Sequence, residues 1–555
     1  MALAADDPIA FPTLDDDDLA VLEAAGTRRQ VTAGDYLFRA GDASYDFFVV
    51  LSGVVEIFVH GDDGERVLAR HVRGRFLGEL NMLTGLRTFV TARVVEPGEV
   101  IVISRDAFRH ILATNTRIGD VILAAFLARR ALLITGASET IRVVGSRYAT
   151  EALRIREFLT RTRIPHQYLD PDGDASVETI LREFGIRPSD LPVVITESGV
   201  LRRTTVGALA EYLGLTVANL PTRSFDLVIV GGGPAGLAAA VYGASEGLST
   251  LGIDMVAPGG QAGSSSRIEN YLGFPTGISG ADLTQRAFVQ AEKFGAQLTA
   301  PCTAASIHEK DGYLQLTLSD GTVVSAGAVI AASGARYRRL DVPGLDRFDC
   351  RSVFYAATEA EARQCASSPV VVVGGGNSAG QAALFLAESG SAVNVVIRGP
   401  DLGKSMSRYL VDRILEHPSI DVHSESEVVA LDGEDTALRE VTLSAPDGRR
   451  AVTCVALFSF IGAEPSSEWL SGWAALDDHR FVLTDLSIKA DDLGERWEDL
   501  HRRPLPFETN HPGLFAVGDV RSGSTKRVAA AVGEGSAAVR SVHQYLAFRA
   551  GSAAS

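Results

Sequence analysis

Cysteine is scarce in this chain. Its 555 residues hold four, Cys302, Cys350, Cys365 and Cys454, far apart and never as C-x-x-C. That spacing argues against a disulfide framework, a zinc ribbon and a local redox dithiol. Positive charge is also short, with 52 Lys and Arg against 69 Asp and Glu and a net charge of −17. Nucleic acid and anionic membrane are therefore not expected as partners. Long apolar runs are missing. The nearest approach, residues 121–134, is interrupted by Arg129 and Arg130. The first residues, MALAADDPIAFPTLDDDD, are acidic and lack the apolar stretch of a signal peptide, so a cytoplasmic location is expected. Hydrophobic content of 46% and charged content of 22% fit a globular protein, and the length calls for roughly three or four domains.

The chain is organised around residues 226–240, DLVIVGGGPAGLAAA. A short apolar run bounded by glycine reads as a buried parallel strand, and an alanine-rich helix follows. Gly231, Gly233 and Gly236 carry the G-x-G-x-x-G spacing: a tight turn, an approach for a pyrophosphate, and close helix–strand packing. Phosphates sit on the helix N-terminus, where unpaired N–H groups face an anion. The next strand ends in Asp254, 21 residues past Gly233, where an acid can accept from a ribose hydroxyl.

A second strand–glycine–helix unit begins at Val370 and carries Gly374, Gly376, Asn377, Ser378 and Ala379, with alanine acceptable at the third position. Its following strand ends at Arg398, 22 residues past Gly376. A cation there favours a ribose 2′-phosphate, so NADP(H) is expected over NAD(H); the other reading of Arg398 is a solvated strand end. Lys404 would add charge to the same pocket.

With GGQ at 259–261, IENYLGFP at 268–275, ASG at 332–334, VPG at 342–344, FIG at 460–462, GLFAVGD at 513–519 and KRVAAAVGEG at 526–535, residues 224–549 resemble thioredoxin reductase. The resemblance implies two Rossmann-like α/β/β dinucleotide domains, one inserted in the other: an FAD domain of residues 224–344 and 461–549, and an NADP(H) domain of residues 345–460. It implies that Gln261 and Asn270 line the FAD, that Asp519 holds the ribityl chain, and that Lys526, Arg527 and Val528 flank the isoalloxazine. Ala235, Gly260, Gly334 and Gly518 belong to the same site. It also implies a homodimer and hinges near residues 345–352 and 457–462. The family's C-A-T-C dithiol is missing: Tyr355, Ala356, Ala357, Thr358 and Glu359 stand in its place, with Cys365 nine residues after Ala356 and alone. Electrons can run from NADPH to FAD but cannot leave through that dithiol. Oxygen, a quinone, a small disulfide or a one-electron carrier such as ferredoxin all fit as acceptor. A non-catalytic sensor or adaptor is the competing reading.

Ahead of this half, residues 8–135 show short alternating segments between glycines at 34, 41, 53, 64, 74 and 78, then a helical pattern after Ser104. GDYLFRAGD and FFVVLSGVVEIF make the segment resemble a cyclic nucleotide-binding domain, a β-roll with helices. The resemblance places the phosphate cassette for cAMP or cGMP on Gly78, Glu79, Leu80, Arg87 and Thr88. Glu79 can accept from a ribose and Arg87 offers a planar fork to a phosphate. Phe89, where the family has a small residue, and the short loop at 83–86 depart from the pattern, so a roll kept for docking or dimerisation fits equally. Residues 139–218 read as a strand, a helix, a strand beginning at Val193 and a final helix, and resemble the glutaredoxin/thioredoxin fold, with Pro192 at that family's cis-proline. Ser146, Arg147, Tyr148 and Ala149 replace its C-x-x-C, so thiol exchange is excluded and an adaptor or a small-thiol groove remains.

Overall fold

The computed structural model describes the whole chain except residues 1–6, 43–44, 62–63, 79–80, 85, 136–140, 148, 172–176, 197–198, 217–219, 221, 266, 350, 356, 358, 366, 495 and 554–555. Glu79, Leu80, Tyr148, Cys350, Ala356 and Thr358 thus lie outside the described residues.

The N-terminal part is an antiparallel sheet of six strands, with Phe47–Gly61 and Thr91–Ile103 at its centre. Gly53, one of the glycines expected to separate segments, does not break the chain into two strands. Phe47–Gly61 is one strand, and Gly53 is a bulge in it at φ +84°, where a Cβ would lie 2.6 Å from the Glu96 carbonyl oxygen. Only glycine permits that approach, and the bulge lets one long strand curl around the roll. Ser104 caps the helix Arg105–Thr114 by accepting from the Ala107 N–H, and Phe108, Ile111 and Leu112 of that helix are buried. Phe108 stacks on Phe47 at 4.3 Å between ring centroids. The helix Thr116–Thr135 follows. Among the described residues no single helix is long and apolar enough to cross a membrane.

The middle unit has four strands in the order Gly199–Leu201, Val193–Thr196, Ile141–Val144, Gln167–Leu169. The first two contacts are antiparallel and the last is parallel. The helix Thr150–Arg161 crosses between the parallel pair. Strand Gln167–Leu169, strand Gly199–Leu201 and the helix Val177–Glu183 were not legible in the sequence because each is three to seven residues long. The Leu191–Pro192 peptide is cis. Apolar residues of this unit, among them Val143, Phe158 and Leu213, form one continuous cluster with the inside of the roll, including Phe48, Leu86 and Phe89.

Besides a three-stranded antiparallel sheet, the remaining chain holds two sheets with parallel cores, the first extended by the antiparallel strands Tyr313–Leu318 and Ala304–Lys310. In the first, Gln297–Thr299, Thr250–Ile253, Ser224–Val230, Val323–Ala331 and Leu514–Ala516 lie side by side and parallel, so the last strand returns after a long excursion. That excursion forms the second sheet, in which Pro369–Val373 lies between Ala456–Ser459 and Ala392–Val396. The two are joined by an antiparallel ribbon of Ala335–Tyr337 and Ala463–Pro465. Of the segments expected as hinges, 345–352 and 457–462, Leu345, Phe348 and Leu457 are packed in the second sheet's core.

Candidate functional site

The strand Ser224–Val230 ends in Gly231 and the helix Pro234–Ser245 starts from Gly233 as its N-cap. The three fingerprint glycines have three different constraints. Gly231 is at φ +112°, and a Cβ there would meet the Ala332 carbonyl oxygen at 2.2 Å. At Gly236 it would lie 1.8 Å from the Gly231 oxygen, so helix and strand could not close. At Gly233 the nearest neighbour is 3.8 Å away, the Cα of Gly260. Protein packing does not demand a glycine at Gly233, and the space in front of it lies at the helix N-terminus.

Asp254, at the end of the strand Thr250–Ile253, is already engaged. Its Oδ2 accepts from the Gly232 N–H at 2.8 Å, and Oδ1 accepts from the N–H groups of Val256 and Ala257, each at 2.9 Å. It ties the glycine loop to the strand end, and its remaining lone pairs are what a ribose could use. Gly260 sits at φ +54° with its Cβ position 2.8 Å from the Gly233 Cα, so the 259–261 turn rests on the loop. Gln261 Nε2 donates to the Ala335 carbonyl at the start of the ribbon.

Across the sheet, Gly518 is at φ +69° and donates its N–H to Glu534 Oε2 at 2.7 Å, while Arg521 holds the same carboxylate at 2.7 Å. Gly535 packs so close that a Cβ would lie 2.0 Å from the Ala235 oxygen. Glu534 and Arg521 fix the Asp519 turn, a role that the position of Glu534 in the 526–535 motif does not reveal, since its partners lie 13 and 16 residues away. The Asp519 carboxylate makes no hydrogen bond among the described residues. Burial raises its pKa, opposed by the nearby Lys526 ammonium. Lys526 Nζ donates to the Asp519 backbone oxygen at 2.8 Å and lies 4.1 Å from the Phe481 ring centroid. Loss of solvent lowers its pKa, opposed by Asp519.

Gly233, Asp254, Gln261, Asn270 and Asp519 all line one cavity of about 2250 Å³. Gly231, Ala235, Gly260, Gly334, Lys526, Arg527 and Val528 border it as well, whereas Gly236 and Gly518 stand behind its wall. The same cavity reaches Asn377 and Ser378 at the start of the helix Asn377–Glu388. There Gly374 is at φ +140° with a Cβ position 2.4 Å from the Phe460 oxygen, while Gly376 faces nothing within 4 Å. The second loop thus repeats the division of labour of the first. Ala379 is buried beneath it. Asn377 Oδ1 accepts from the Ser407 N–H at 2.6 Å, and Ser405 Oγ donates to the Gly375 carbonyl at 2.9 Å, which fixes the loop. Arg398, two residues past the strand Ala392–Val396, is exposed and makes no hydrogen bond or ion pair among the described residues; neither it nor the exposed Lys404 borders the cavity. Arg413 spans the two halves, bonding Glu269 at 3.1 Å and Glu388 at 2.8 Å.

The described cysteines offer no thiolate here. Cys302, Cys365 and Cys454 are buried. Burial pushes their thiols up to about 12, 11 and 12, so none is a thiolate near neutral pH.

In the roll, Gly78 is at φ +141° and its carbonyl accepts from Arg129 Nη1 at 2.7 Å. Arg87 is not an open fork. Its Nε donates to the Tyr212 carbonyl of the middle unit at 2.6 Å and its Nη1 to the Gly41 carbonyl at 2.8 Å. The Thr88 hydroxyl turns back on the Val90 carbonyl at 3.1 Å. Phe89 is 6% exposed and fills the cluster shared with the middle unit, with the Arg130 guanidinium 5.6 Å from its ring centroid.

The family model for pyridine nucleotide-disulphide oxidoreductase matches residues 225–535, and that for the cyclic nucleotide-binding domain matches residues 28–115. A thioredoxin reductase of Mycoplasmopsis pulmonis is 31% identical over 318 residues, covering 57% of this chain and 95% of the relative. That of Streptomyces clavuligerus is 32% identical over 324 residues, covering 58% and 94%. Among solved structures, Lactococcus lactis thioredoxin reductase in its FR conformation superposes with a TM-score of 0.52 at 27% identity, covering 58% of this chain and 99% of the other.

Proposed function

We propose a function on the premise that the chain belongs to the pyridine nucleotide-disulphide oxidoreductase family and is an FAD-dependent NAD(P)H oxidoreductase. It takes electrons from NADPH onto FAD and passes them to an acceptor that meets the flavin directly, without a protein dithiol. The observation that carries this reading is the shared cavity: the first glycine loop and, at Asn377 and Ser378, the start of the helix after the second both border it, while the described cysteines are buried with raised pKa. When bound, FAD supplies hydride acceptance and electron transfer. The chain does the rest. Gly233 and Gly376 leave space for the two pyrophosphates at helix N-termini. Asp254 and Asp519 accept from sugar and ribityl hydroxyls. Gly260, Gln261, Asn270, Gly334, Lys526, Arg527 and Val528 wall the flavin, and Arg398, free of partners among the described residues, takes a 2′-phosphate. The acceptor is a small molecule, such as a quinone or a disulfide, or a redox protein, such as a ferredoxin.

The middle unit is a thioredoxin-type fold without thiols, a reading supported by its strand order. It serves as an adaptor between the roll and the oxidoreductase. Cyclic nucleotide at the roll regulates the enzyme, the reductase half forms a homodimer, and the protein works in the cytoplasm. The contact of Arg87 with Tyr212 favours a second reading, in which the roll senses rather than supports turnover.

Anaerobic addition of NADPH or NADH to FAD-loaded protein tests the proposal. Flavin absorbance should bleach faster with NADPH, and admission of oxygen, quinone, ferredoxin, thioredoxin or a small disulfide should restore it with turnover for at least one. No bleaching by either nucleotide overturns the reading; bleaching that no acceptor reverses leaves the sensor.

A further inference from the structure

The helix Thr150–Arg161 of the middle unit, outside the residues matched by the oxidoreductase family, borders the cavity at the end built by the first glycine loop. Arg161, in its last turn, is 24% exposed. Its Nη2 donates to the Gly260 carbonyl at 3.1 Å and lies 3.5 Å from the Ala257 carbonyl. Both oxygens belong to the turn that follows Asp254. Gly260 is the residue whose Cβ position lies 2.8 Å from the Gly233 Cα. The guanidinium therefore grips the carbonyl of the residue stacked on the cavity-facing glycine.

We propose that Arg161 is a positioning residue for FAD: it holds the 259–261 turn down on the first glycine loop, at the end of the cavity that receives a dinucleotide diphosphate. This rests on the reading of that end as the FAD site. Both contacts come from one nitrogen, Nη2, while Nη1 lies 3.5 Å from Glu157 Oε1 in the same helix. The geometry gives the middle unit a task that needs no thiol. FAD retention depends on its being docked.

A second contact supplies the control. Two residues on, Arg163 pairs with Asp282 at 2.6 Å, in the first turn of the helix Gly280–Lys293. It helps to dock the unit without touching the 259–261 turn.

The experiment is reconstitution of full-length apoprotein with FAD, read by quenching of flavin fluorescence, with circular dichroism to confirm folding. Arg161→Ala should weaken FAD about tenfold, the loss of one charge-assisted hydrogen bond. Arg163→Ala should stay within about twofold by the weakness of exposed ion pairs. Unchanged affinity in Arg161→Ala overturns the proposal, and so does equal weakening by both variants, which would mean undocking in general. Should Arg161→Ala not fold, Arg161→Gln, which keeps most of the stem, is read the same way. Wild-type protein that binds no FAD would instead overturn the site assignment, a separate failure.

Discussion

At Gly236 a methyl group would sit 1.8 Å from a backbone oxygen, while at Gly233 it would meet nothing closer than 3.8 Å. Two glycines of one motif therefore fail differently. Gly236→Ala should lower stability by about 3 kcal/mol or more, because backbone must move to admit it. Gly233→Ala should fold with a Tm within a few degrees of the parent yet bind FAD at least about tenfold more weakly. Thermal unfolding of the two apoproteins, with FAD titration of Gly233→Ala, separates the cases; equal loss of Tm in both would refute the division. The sequence marks both positions as glycine through the motif alone. Which of them faces a ligand is set by what the fold brings opposite each Cα.

At the scale of elements, the helix Gly280–Lys293 of the first parallel sheet packs against the helices Asn81–Thr84 and Arg105–Thr114 of the roll. Glu292 lies in that contact, 3% exposed, facing Arg105 and Arg109. Those arginines also donate to the carbonyls of Met82 and Leu83, at 2.7 Å from Arg105 and 2.9 Å from Arg109 respectively. Burial pushes the Glu292 carboxyl from 4.5 up to about 8, against the pull of both arginines. The folded chain holds a proton there that the unfolded chain has released. Its contribution to stability is full below pH 4.5 and is lost as pH rises towards about 8. Melting temperatures across that window should fall more steeply for the parent than for Glu292→Gln. Identical slopes would show that Glu292 titrates normally. Nothing in the pattern of this helix predicts the charge, since an acid at one helical position reads as a solvated face until a partner element covers it.

Over the whole molecule, the middle unit touches both neighbours through arginines that donate to backbone carbonyls: Arg87 to Tyr212 on one side, Arg161 to Gly260 on the other. A cyclic phosphate gripped by the Nε edge of Arg87 would take the donor that Tyr212 now holds. Binding of cAMP or cGMP should therefore speed hydrogen exchange in the helix Val206–Leu213, and Arg87→Gln should abolish the heat of binding in calorimetry. Binding heat with no change in exchange would show that ligand and docked unit coexist.

Sequence by itself determined the order of the modules, the two glycine loops, the acid at 254, the arginine at 398 and the missing dithiol. These are local signatures, in which a few neighbouring residues fix a turn, a strand end or a lost nucleophile. It also gave the roll its glycines, but not the difference between a turn and the bulge at Gly53, because that depends on Glu96 lying across the sheet. Tertiary structure alone decided that Arg87 is occupied, that Arg161 reaches the 259–261 turn and that Glu292 is buried. Each of these joins residues more than 90 positions apart or on separate modules, and no local periodicity carries such a pairing.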